Sequence, residues 1–509
     1  MDVSKRPPAR VRVSLYFCAT GLAASLIFAM FLNGLNAILH YGTSAFLAFA
    51  GLVSTQDTSL NIDLGWYPPK QTQINNLTTV MEGEGIYGWL FNSSDTPDEI
   101  YGTYNWCNMP HVRKQEYRIP SANYELVYVE VIQRHHKRTP YSSNAFPVEP
   151  TPWECSNTGL FYHSQPLAYN STFSTIPSYW KITPSIFNPL PITKLTGSCL
   201  FPQITLGGLS DSHLHGVDLY SVYSSLLPLS SSSVQFRVTT NSITTQIASA
   251  LLSSFPFISA PYPLVVQPPA LDSLEPKYSC PLSSNLFSSI QSNAHWKKHL
   301  TLAKPLYDKL DGISGVAAGD EGFHVSMDHY YDNLSAKQCH SRGLPCSVGD
   351  KNKCISHKDA ETVYRIGQWE YDYIYRSSGP ETLKASLGSM GVWIAELAEN
   401  IRDVVDGNDG NGIKYRHNVA HDGSMSRVLS ILQVDEMVWP GMGSEIVFEL
   451  WRENEKGKYA VRVLWGGKVL RSSNPSLGEM DMIDVDVVLG YFDGLVGKGA
   501  EKVRGLCGL

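Results

Sequence analysis

The sequence predicts an α/β fold: a three-layer α/β/α sheet domain, interrupted by a mostly helical inserted lobe and preceded by a transmembrane or signal segment. Three observations predict this fold. Strand-like apolar runs occur near residue 126 and again after residue 412, long helical patterns separate them, and an uncharged apolar stretch begins at Val13. Strands at both ends of a chain with helices between them indicate one sheet that carries an insertion.

The composition is that of a globular protein with two or three packed lobes. The chain has 509 residues, of which 43% are hydrophobic and 17% are charged. The net charge of -7 gives no overall attraction to nucleic acid or to acidic lipid. We therefore expect no nucleic-acid partner and look for local anion sites. The composition leaves the oligomeric state open.

The N-terminal apolar stretch predicts a membrane anchor. No Asp, Glu, Lys or Arg occurs from Val13 until Asp57, and this length exceeds the roughly 7 to 15 residues of a signal-peptide core and reaches the roughly 20 that span a bilayer. We predict a signal anchor at residues 13–37 behind a cytoplasmic basic stretch at residues 1–12, with the chain from Gln56 in the lumen or outside the cell. Cleavage near "AFAGL" is the alternative, and it would release a secreted protein.

Cysteines and sequons agree with export. Beyond Cys18 the chain has eight cysteines, and this even number predicts up to four disulfides whose pairing stays open: Cys107, Cys155, Cys199, Cys280, Cys339, Cys346, Cys354 and Cys507. For Cys339, Cys346 and Cys354 a disulfide-stapled loop is favoured over a zinc site. Four N-x-S/T sequons predict glycosylated surface loops, at Asn76, Asn92, Asn170 and Asn333.

The chain divides into a lead-in and two structural parts. Residues 56–123 lack a sustained period and form the lumenal lead-in, whereas residues 124–215 and 405–509 form the α/β domain around the inserted lobe at residues 216–404. Leu126 to Ile132 is a nearly continuous apolar run, which is typical of a strand covered on both faces.

Helical patterns dominate the inserted lobe, and strands return after it. Residues 233–256 open extended and close as a helix, and a later helix carries an apolar stripe made of Leu383, Leu387, Met390, Ile394, Leu397, Ile401 and Val404. Strands are predicted at residues 413–420, 445–451 and 459–471, the last with a Gly-Gly hairpin turn, and a helix follows the first of them at once.

The most unusual polar residues follow two predicted strands. Arg134, His135 and Arg138 come after the first strand, and His421 and Asp422 come after a late one. Ligands of α/β sheets bind beyond the carboxyl ends of strands, and paired guanidiniums match the oxygens of a phosphate. Each group alone has a plainer explanation as a solvated loop, a packed histidine or a helix N-cap. Together they predict a phosphate site.

These residues carry a family resemblance. "RHHKRTP" resembles the R-H-G-x-R-x-P signature of the histidine acid phosphatases, branch two of the histidine phosphatase superfamily, and "HD" at residues 421–422 resembles the late His-Asp pair of that family. The segments "PQITLGGLSDSHLHGVDLYSVY", "FRVTTNSITTQIASALLSSFP" and "WPGMGSEIVFELW" resemble three further family segments in the same order. The resemblance covers about 380 residues from Leu126 onward and indicates a fungal-type membrane-anchored or secreted acid phosphatase.

The resemblance implies a mechanism. His135 is the expected nucleophile, which forms a phosphohistidine intermediate. Arg134, Arg138 and His421 are expected to hold the phosphoryl oxygens, and Asp422 is expected to protonate the leaving group. The resemblance implies small phosphomonoester substrates and no metal or other cofactor. A phosphate-transferring mutase is a remote alternative from a related branch.

Two positions depart from the family pattern. His136 replaces the glycine of the signature, and the middle segment has Ile243 and Thr244 where the family has a further phosphate-binding arginine. Arg237, or Thr240 or Asn241, is a candidate replacement. Loss of this arginine gives the alternative function, a catalytically impaired lumenal protein that binds phosphate ligands. His213 and His215 have a spacing that metals can use, but convincing further ligands are missing, and we predict no metal site.

Overall fold

The structure is a computed structural model that describes residues 60–86, 105–148, 152–158, 160–163, 178–182, 187, 197–259, 262–408 and 412–508. The chain divides into two compact units, Met1–Asn61 and Ile62–Leu509. The predicted basic stretch, the predicted signal segment and the sequons at Asn92 and Asn170 lie outside the described residues. Within the described ranges, no helix combines the length and apolar character that a membrane crossing requires.

The second unit is built on an eight-stranded mixed sheet. The strands of the chain are β1 (Tyr124–Arg134), β2 (Leu160–His163), β3 (Ser178–Trp180), β4 (Val234–Val238), β5 (Leu264–Val265), β6 (Tyr415–Ala420), β7 (Glu445–Glu453), β8 (Tyr459–Trp465), β9 (Lys468–Val469) and β10 (Ile483–Asp484). In spatial order the strands of the main sheet run β10-β8-β7-β1-β6-β4-β5, and β9 pairs with β8. A separate hairpin pairs β2 with β3.

The register of the central strands positions the site. Strand β1 pairs in parallel with β6, and Arg134 lies opposite Ala420. Strand β4 is also parallel to β6, with Val238 opposite Val419, whereas β7 is antiparallel to β1. The residues that follow Arg134 and Ala420 therefore leave the sheet at the same edge, as the sequence predicts.

Helices cover both faces of the sheet and form a further lobe. They are α1 (Leu77–Glu82), α2 (Leu206–Tyr223), α3 (Ser242–Leu252), α4 (Pro281–Ile290), α5 (Ala294–Ser314), α6 (Asp328–Cys339), α7 (His357–Asp372), α8 (Glu381–Val405), α9 (Asp422–Ile431), α10 (Val485–Val496) and α11 (Glu501–Leu506). A π-helical turn, Tyr373–Ser377, follows α7.

Alternating side chains of β1 supply two hydrophobic cores. Val129 and Val131 pack against α2 and α3 on one face, and Tyr128 and Ile132 pack against α8, α9 and α10 on the other. The three layers predicted from the sequence are therefore present. The apolar stripe predicted on residues 383–404 lies on α8 and belongs to the second of these cores.

The inserted lobe is smaller than the range 216–404 that the sequence predicts. Strands β4 and β5 lie within that range but extend the main sheet beyond β6, and α8 packs on the sheet rather than in the lobe. A third core, which includes Trp296, Tyr330 and Trp369, joins α5, α6 and α7 into the lobe itself. The predicted start of the lobe is wrong because β4 is short and pairs with β6, a strand that lies almost the whole insertion away along the chain. Local sequence patterns do not reveal such a distant pairing.

All eight cysteines outside the N-terminal segment form disulfides, as predicted. The pairs are Cys107–Cys339, Cys155–Cys199, Cys280–Cys507 and Cys346–Cys354. The first joins the lead-in to α6, and the third joins the segment before α4 to the residue after α11. The three cysteines from Cys339 to Cys354 thus belong to two bridges, and the favoured disulfide interpretation is confirmed.

One predicted glycosylation site is wrong. Asn333 is fully buried in α6, where its side-chain amide donates to the carbonyl oxygen of Asn144 and accepts from Nζ of Lys337. A glycan requires an exposed asparagine, and the N-x-S pattern here occurs by chance within a core helix. Asn76 is exposed and caps α1, where its Oδ1 accepts from the backbone amide of Thr79.

Candidate active site

His135 is the first residue after β1 and is buried. Its Nδ1–H donates to the carbonyl oxygen of His136 at 3.2 Å, which leaves the lone pair on Nε2. Burial lowers the pKa of His135 well below its ordinary value, and the positive charges of Arg138 and Arg134 lower it further. The ring is therefore a neutral imidazole whose Nε2 can act as an acceptor.

Two buried guanidiniums flank this imidazole. Nη2 of Arg134 lies 3.0 Å from Oδ2 of Asp422, and its Nη1 donates to the carbonyl oxygen of Pro440. Nε of Arg138 lies 3.4 Å from Nε2 of His135, and its Nη1 lies 2.9 Å from Oδ1 of Asp332. Each guanidinium is thus held by a carboxylate that a bound phosphate could replace.

His421 follows β6 and faces His135, with 5.6 Å between the ring centroids. Its Nε2 lies 3.4 Å from the hydroxyl of Thr239 and 3.6 Å from Oε2 of Glu275. Burial alone would raise the pKa of this Glu275 carboxyl, but His421 and Lys277 lower it below its ordinary value. An ionised carboxylate therefore lies beside His421.

Asp422 is the first residue of α9, and its carboxylate faces the guanidiniums instead of capping the helix. Its Oδ2 accepts from Nε1 of Trp439 at 2.8 Å as well as from Arg134. Burial would raise the pKa of Asp422, but Arg134, the hydrogen bond from Trp439 and Arg138 together lower it. Asp422 is therefore an ionised carboxylate in this environment.

These groups meet at one cavity of about 320 Å³. Arg134 and Arg138 do not line this cavity, but Arg134 contacts Asp422 and Arg138 contacts His135, both of which do. The cavity is lined by His135, Tyr141, Glu275, Pro276, Lys277, His421, Asp422, Gly423, Ser424 and Arg427. The structure thus brings together all five residues that the sequence singled out.

His136 occupies the position of the family glycine without backbone strain. The backbone of His136 is not in the left-handed region. Its ring is buried, and Nδ1 lies 3.0 Å from the hydroxyl oxygen of Ser212. Gly443 leaves space for this ring because it has no Cβ: a Cβ at that position would lie 2.9 Å from the imidazole of His136. The φ of Gly443, +75°, also favours glycine there. A glycine elsewhere in the chain therefore accommodates the substitution.

A buried network of polar side chains extends from His136. Its Nε2 lies 3.2 Å from Nδ1 of His215, and Nε2 of His215 lies 2.9 Å from Glu445. Gln133 contacts both His215 and His417, the latter at 2.7 Å. His213, by contrast, is exposed and contacts Ser253, because a spacing of two residues places these histidines on different faces of α2.

The middle segment supplies no arginine to the site. Arg237 is bound to Asp272 at 3.0 Å and to Glu396 at 2.7 Å. Asn241 caps α3 and donates to the hydroxyl of Tyr141, which lines the cavity. Arg237 therefore does not replace the missing family arginine in this structure.

Several neighbours of the site were missed from the sequence. Trp439 lies in the quoted "WPGMGSE" segment, so its position was visible although its bond to Asp422 was not. Asp332 adjoins the misassigned sequon, and its ion pair with Arg138 depends on how the inserted lobe packs. Glu275, Lys277 and Arg427 gave no local signal.

We expect the buried His417 to make stability depend on pH. Burial lowers the pKa of His417 to about 3, whereas an unfolded histidine titrates at about 6.5. Between these two pH values the unfolded chain binds a proton that the folded protein does not. The free energy of unfolding therefore decreases as pH falls below about 6.5. His417→Gln should be less stable than wild type at pH 7.5, because Gln133 and Tyr415 lose their partner. The difference in unfolding free energy should shrink by about 2 to 3 kcal/mol at pH 4.5.

Denaturant unfolding of both proteins at the two pH values, with disulfides intact, checks this expectation. The exposed His357 offers a matched control, since His357→Gln should follow the pH dependence of wild type. An equal stability deficit of His417→Gln at both pH values would show that His417 does not stay neutral in the folded protein.

Comparisons with known proteins find a family model, sequence relatives and solved structures that resemble this chain. A family model described as the histidine phosphatase superfamily, branch 2, matches residues 326–465, a range that includes His421 and Asp422. The chain is 25% identical over 384 residues to 2-phosphoxylose phosphatase 1 of Homo sapiens, which covers 73% of this chain and 76% of that protein. The protein of the same name from Mus musculus is 25% identical over 387 residues, with coverage of 73% and 77%.

Among solved structures, the chain is similar to a Hafnia alvei phytase in complex with myo-inositol hexakis sulphate, with 12% identity and a TM-score of 0.47. That match covers 75% of this chain and 99% of the phytase. A phytase from D. castellii gives 13% identity, a TM-score of 0.45 and coverage of 84% and 92%.

Proposed function

The chain belongs to the histidine phosphatase superfamily, branch 2, and on this premise we propose that it is an acid phosphatase that hydrolyses phosphomonoesters through a phosphohistidine intermediate. One observation carries the proposal: a neutral imidazole whose Nε2 carries the lone pair lies in the same cavity as a carboxyl group and beside two guanidiniums. That arrangement provides a nucleophile, a proton donor and charge stabilisation together.

In the first step, Arg134, Arg138 and His421 bind the phosphoryl oxygens, and Nε2 of His135 attacks phosphorus. The P–O bond to the alcohol breaks, and Asp422 gives its proton to the departing oxygen. In the second step, ionised Asp422 takes a proton from water, which attacks the phosphohistidine. The P–N bond breaks, inorganic phosphate leaves, and His135 and Asp422 return to their starting states.

The state of Asp422 accounts for an acidic working pH. Before a substrate binds, the arginines keep it ionised. A bound phosphate competes for the same guanidinium of Arg134 and places a negative charge near the carboxylate, and both effects raise the pKa of Asp422. A moderately acidic solution then supplies the protonated form that the first step requires.

The size of the cavity and the names of the sequence relatives support a proposal for the substrate class. A volume of about 320 Å³ accommodates a phosphorylated monosaccharide or a similar small ester. The sequence relatives are named as phosphatases of 2-phosphoxylose, and we infer a sugar phosphate for this chain as well. We also propose that the enzyme works in the secretory pathway or outside the cell, either anchored or secreted. The four disulfides support that location.

Covalent trapping tests the proposal. The purified protein should hydrolyse phenyl phosphate made with a radioactive phosphoryl group, and a rapid quench in alkali should retain label on the peptide that contains His135, because phosphohistidine survives base. Turnover without label on His135 would refute the intermediate. Tight phosphate binding without turnover would instead support the alternative, a lumenal binding protein that lacks the family arginine.

A further inference from the structure

Two cationic side chains line the cavity beside His135 and are not used by the mechanism above. Arg427 lies on α9, five positions after Asp422, and Lys277 lies in the segment between β5 and α4. Arg134, Arg138 and His421 already account for the scissile phosphoryl group. The charge of Lys277 and Arg427 therefore requires a separate explanation.

Arg427 is held rigidly but is not neutralised by a carboxylate. Its Nη1 donates to the carbonyl oxygen of Gly423 at 2.7 Å, and its guanidinium carbon lies 5.1 Å from the ring centre of Phe287 and 5.4 Å from that of Tyr375. Its Nε is buried and has no hydrogen-bond partner. Across the part of the chain that the structure describes, no carboxylate forms an ion pair with Arg427. A role in packing alone would not favour a charged group with an unsatisfied donor.

Lys277 adds a second positive charge that is only loosely paired. Its side chain is 54% exposed, and Nζ lies 3.6 Å from Oε1 of Glu275. The other oxygen of the same Glu275 lies 3.6 Å from Nε2 of His421. One carboxylate is thus shared between an ammonium and an imidazole, and the wall that carries Lys277 and Arg427 keeps an excess of positive charge.

We propose that Lys277 and Arg427 form a second anion site, which binds a negatively charged group on the alcohol part of the substrate. This inference rests on the proposed function and deepens it: the preferred substrates are phosphomonoesters that carry a further carboxylate, phosphate or sulfate. The cavity of about 320 Å³ has room for such a group next to the scissile phosphate. Arg427 supplies a fixed planar donor, and Lys277 supplies a mobile point charge.

Binding of matched phosphonates tests this site without requiring turnover. Benzylphosphonates that carry a carboxylate on the ring are compared with the corresponding carboxamides, at each ring position, by titration calorimetry. The two compounds of a pair have nearly the same shape and differ in charge. We expect wild type to bind one carboxylate isomer about tenfold or more tightly than its carboxamide, because a charge-assisted hydrogen bond replaces a neutral one.

Lys277→Gln and Arg427→Gln should each reduce this preference several-fold, whereas Lys298→Gln, which removes an exposed charge on α5, should preserve it. Thermal unfolding of Arg427→Gln checks that the contacts with Phe287 and Tyr375 survive. If Arg427→Gln unfolds, the binding measurements on Lys277→Gln still test the site, because the side chain of Lys277 is half exposed and its replacement should not disturb the fold. Equal binding of carboxylate and carboxamide by wild type at every ring position would overturn the second anion site.

Turnover of phenyl phosphate, measured on the same preparations, separates the two hypotheses. A carboxylate preference without any turnover would contradict the proposed phosphatase activity while supporting the anion site. Turnover without any carboxylate preference would contradict the anion site while leaving the phosphatase proposal intact.

Discussion

His135→Ala is expected to lower kcat for phenyl phosphate by a factor on the order of 10⁴ or more, since it removes the proposed nucleophile of the covalent mechanism. The arginines and His421 would remain and could still bind phosphate. We therefore expect inorganic phosphate to inhibit or bind the variant with an affinity near that of wild type. Steady-state kinetics together with phosphate titration measure the two quantities separately.

A matched control separates loss of chemistry from loss of fold. His357 is exposed at the first position of α7, so His357→Ala should retain the wild-type rate. Because His135 is buried, denaturant unfolding of His135→Ala should accompany the kinetics. A folded His135→Ala protein with the rate of wild type would exclude His135 as the nucleophile.

Asp422→Asn is expected to lower kcat by about 10² to 10⁴ for esters of ordinary alcohols and by much less for p-nitrophenyl phosphate. The reason is the leaving group: an alkoxide needs a proton as the P–O bond breaks, whereas nitrophenolate is stable without one. Asparagine keeps an oxygen that can accept from Nε1 of Trp439, so the side chain should stay in place. The comparison of the two substrates in one variant is therefore its own internal control.

The pH profile gives a second test of Asp422. In wild type, kcat for an alkyl phosphate should fall as pH rises through the pKa of Asp422 in the enzyme–substrate complex, because the acid loses its proton. In Asp422→Asn this limb should disappear. If both substrates lose rate equally in the variant, Asp422 positions Arg134 instead of donating the proton.

The core of the site could be predicted because it depends on short contiguous segments. The apolar run from Leu126 to Ile132 predicted a strand covered on both faces, and a second strand was predicted to end just before His421. In the structure the two strands pair in parallel and end at the same edge. Cysteine number predicted four disulfides but could not predict Cys107–Cys339, since that pairing depends on how the lobe returns to the lead-in.

The remainder was hidden because it depends on contacts between distant segments. The ion pair of Arg138 with Asp332, the contact of Glu275 with His421 and the place of β4 beside β6 each join segments that have no common pattern. At Asn333 the sequence predicted a site that the structure excludes. The N-x-S sequon matches there, but the asparagine is buried, and burial cannot be read from three residues. The substitution of the family glycine by His136 was explained only by the position of Gly443.

The placement of β1 has a consequence for biosynthesis. In the sheet this strand lies between β6 and β7, and Val129 pairs with Tyr415 on one side and with Glu449 on the other. A ribosome must therefore translate the whole of the predicted insertion, residues 216–404, before the strand that precedes His135 gains either neighbour. During that interval both edges of β1 remain unpaired, and loop closure over so many residues is slow. We expect the nascent protein to depend on chaperones of its compartment until these late segments emerge.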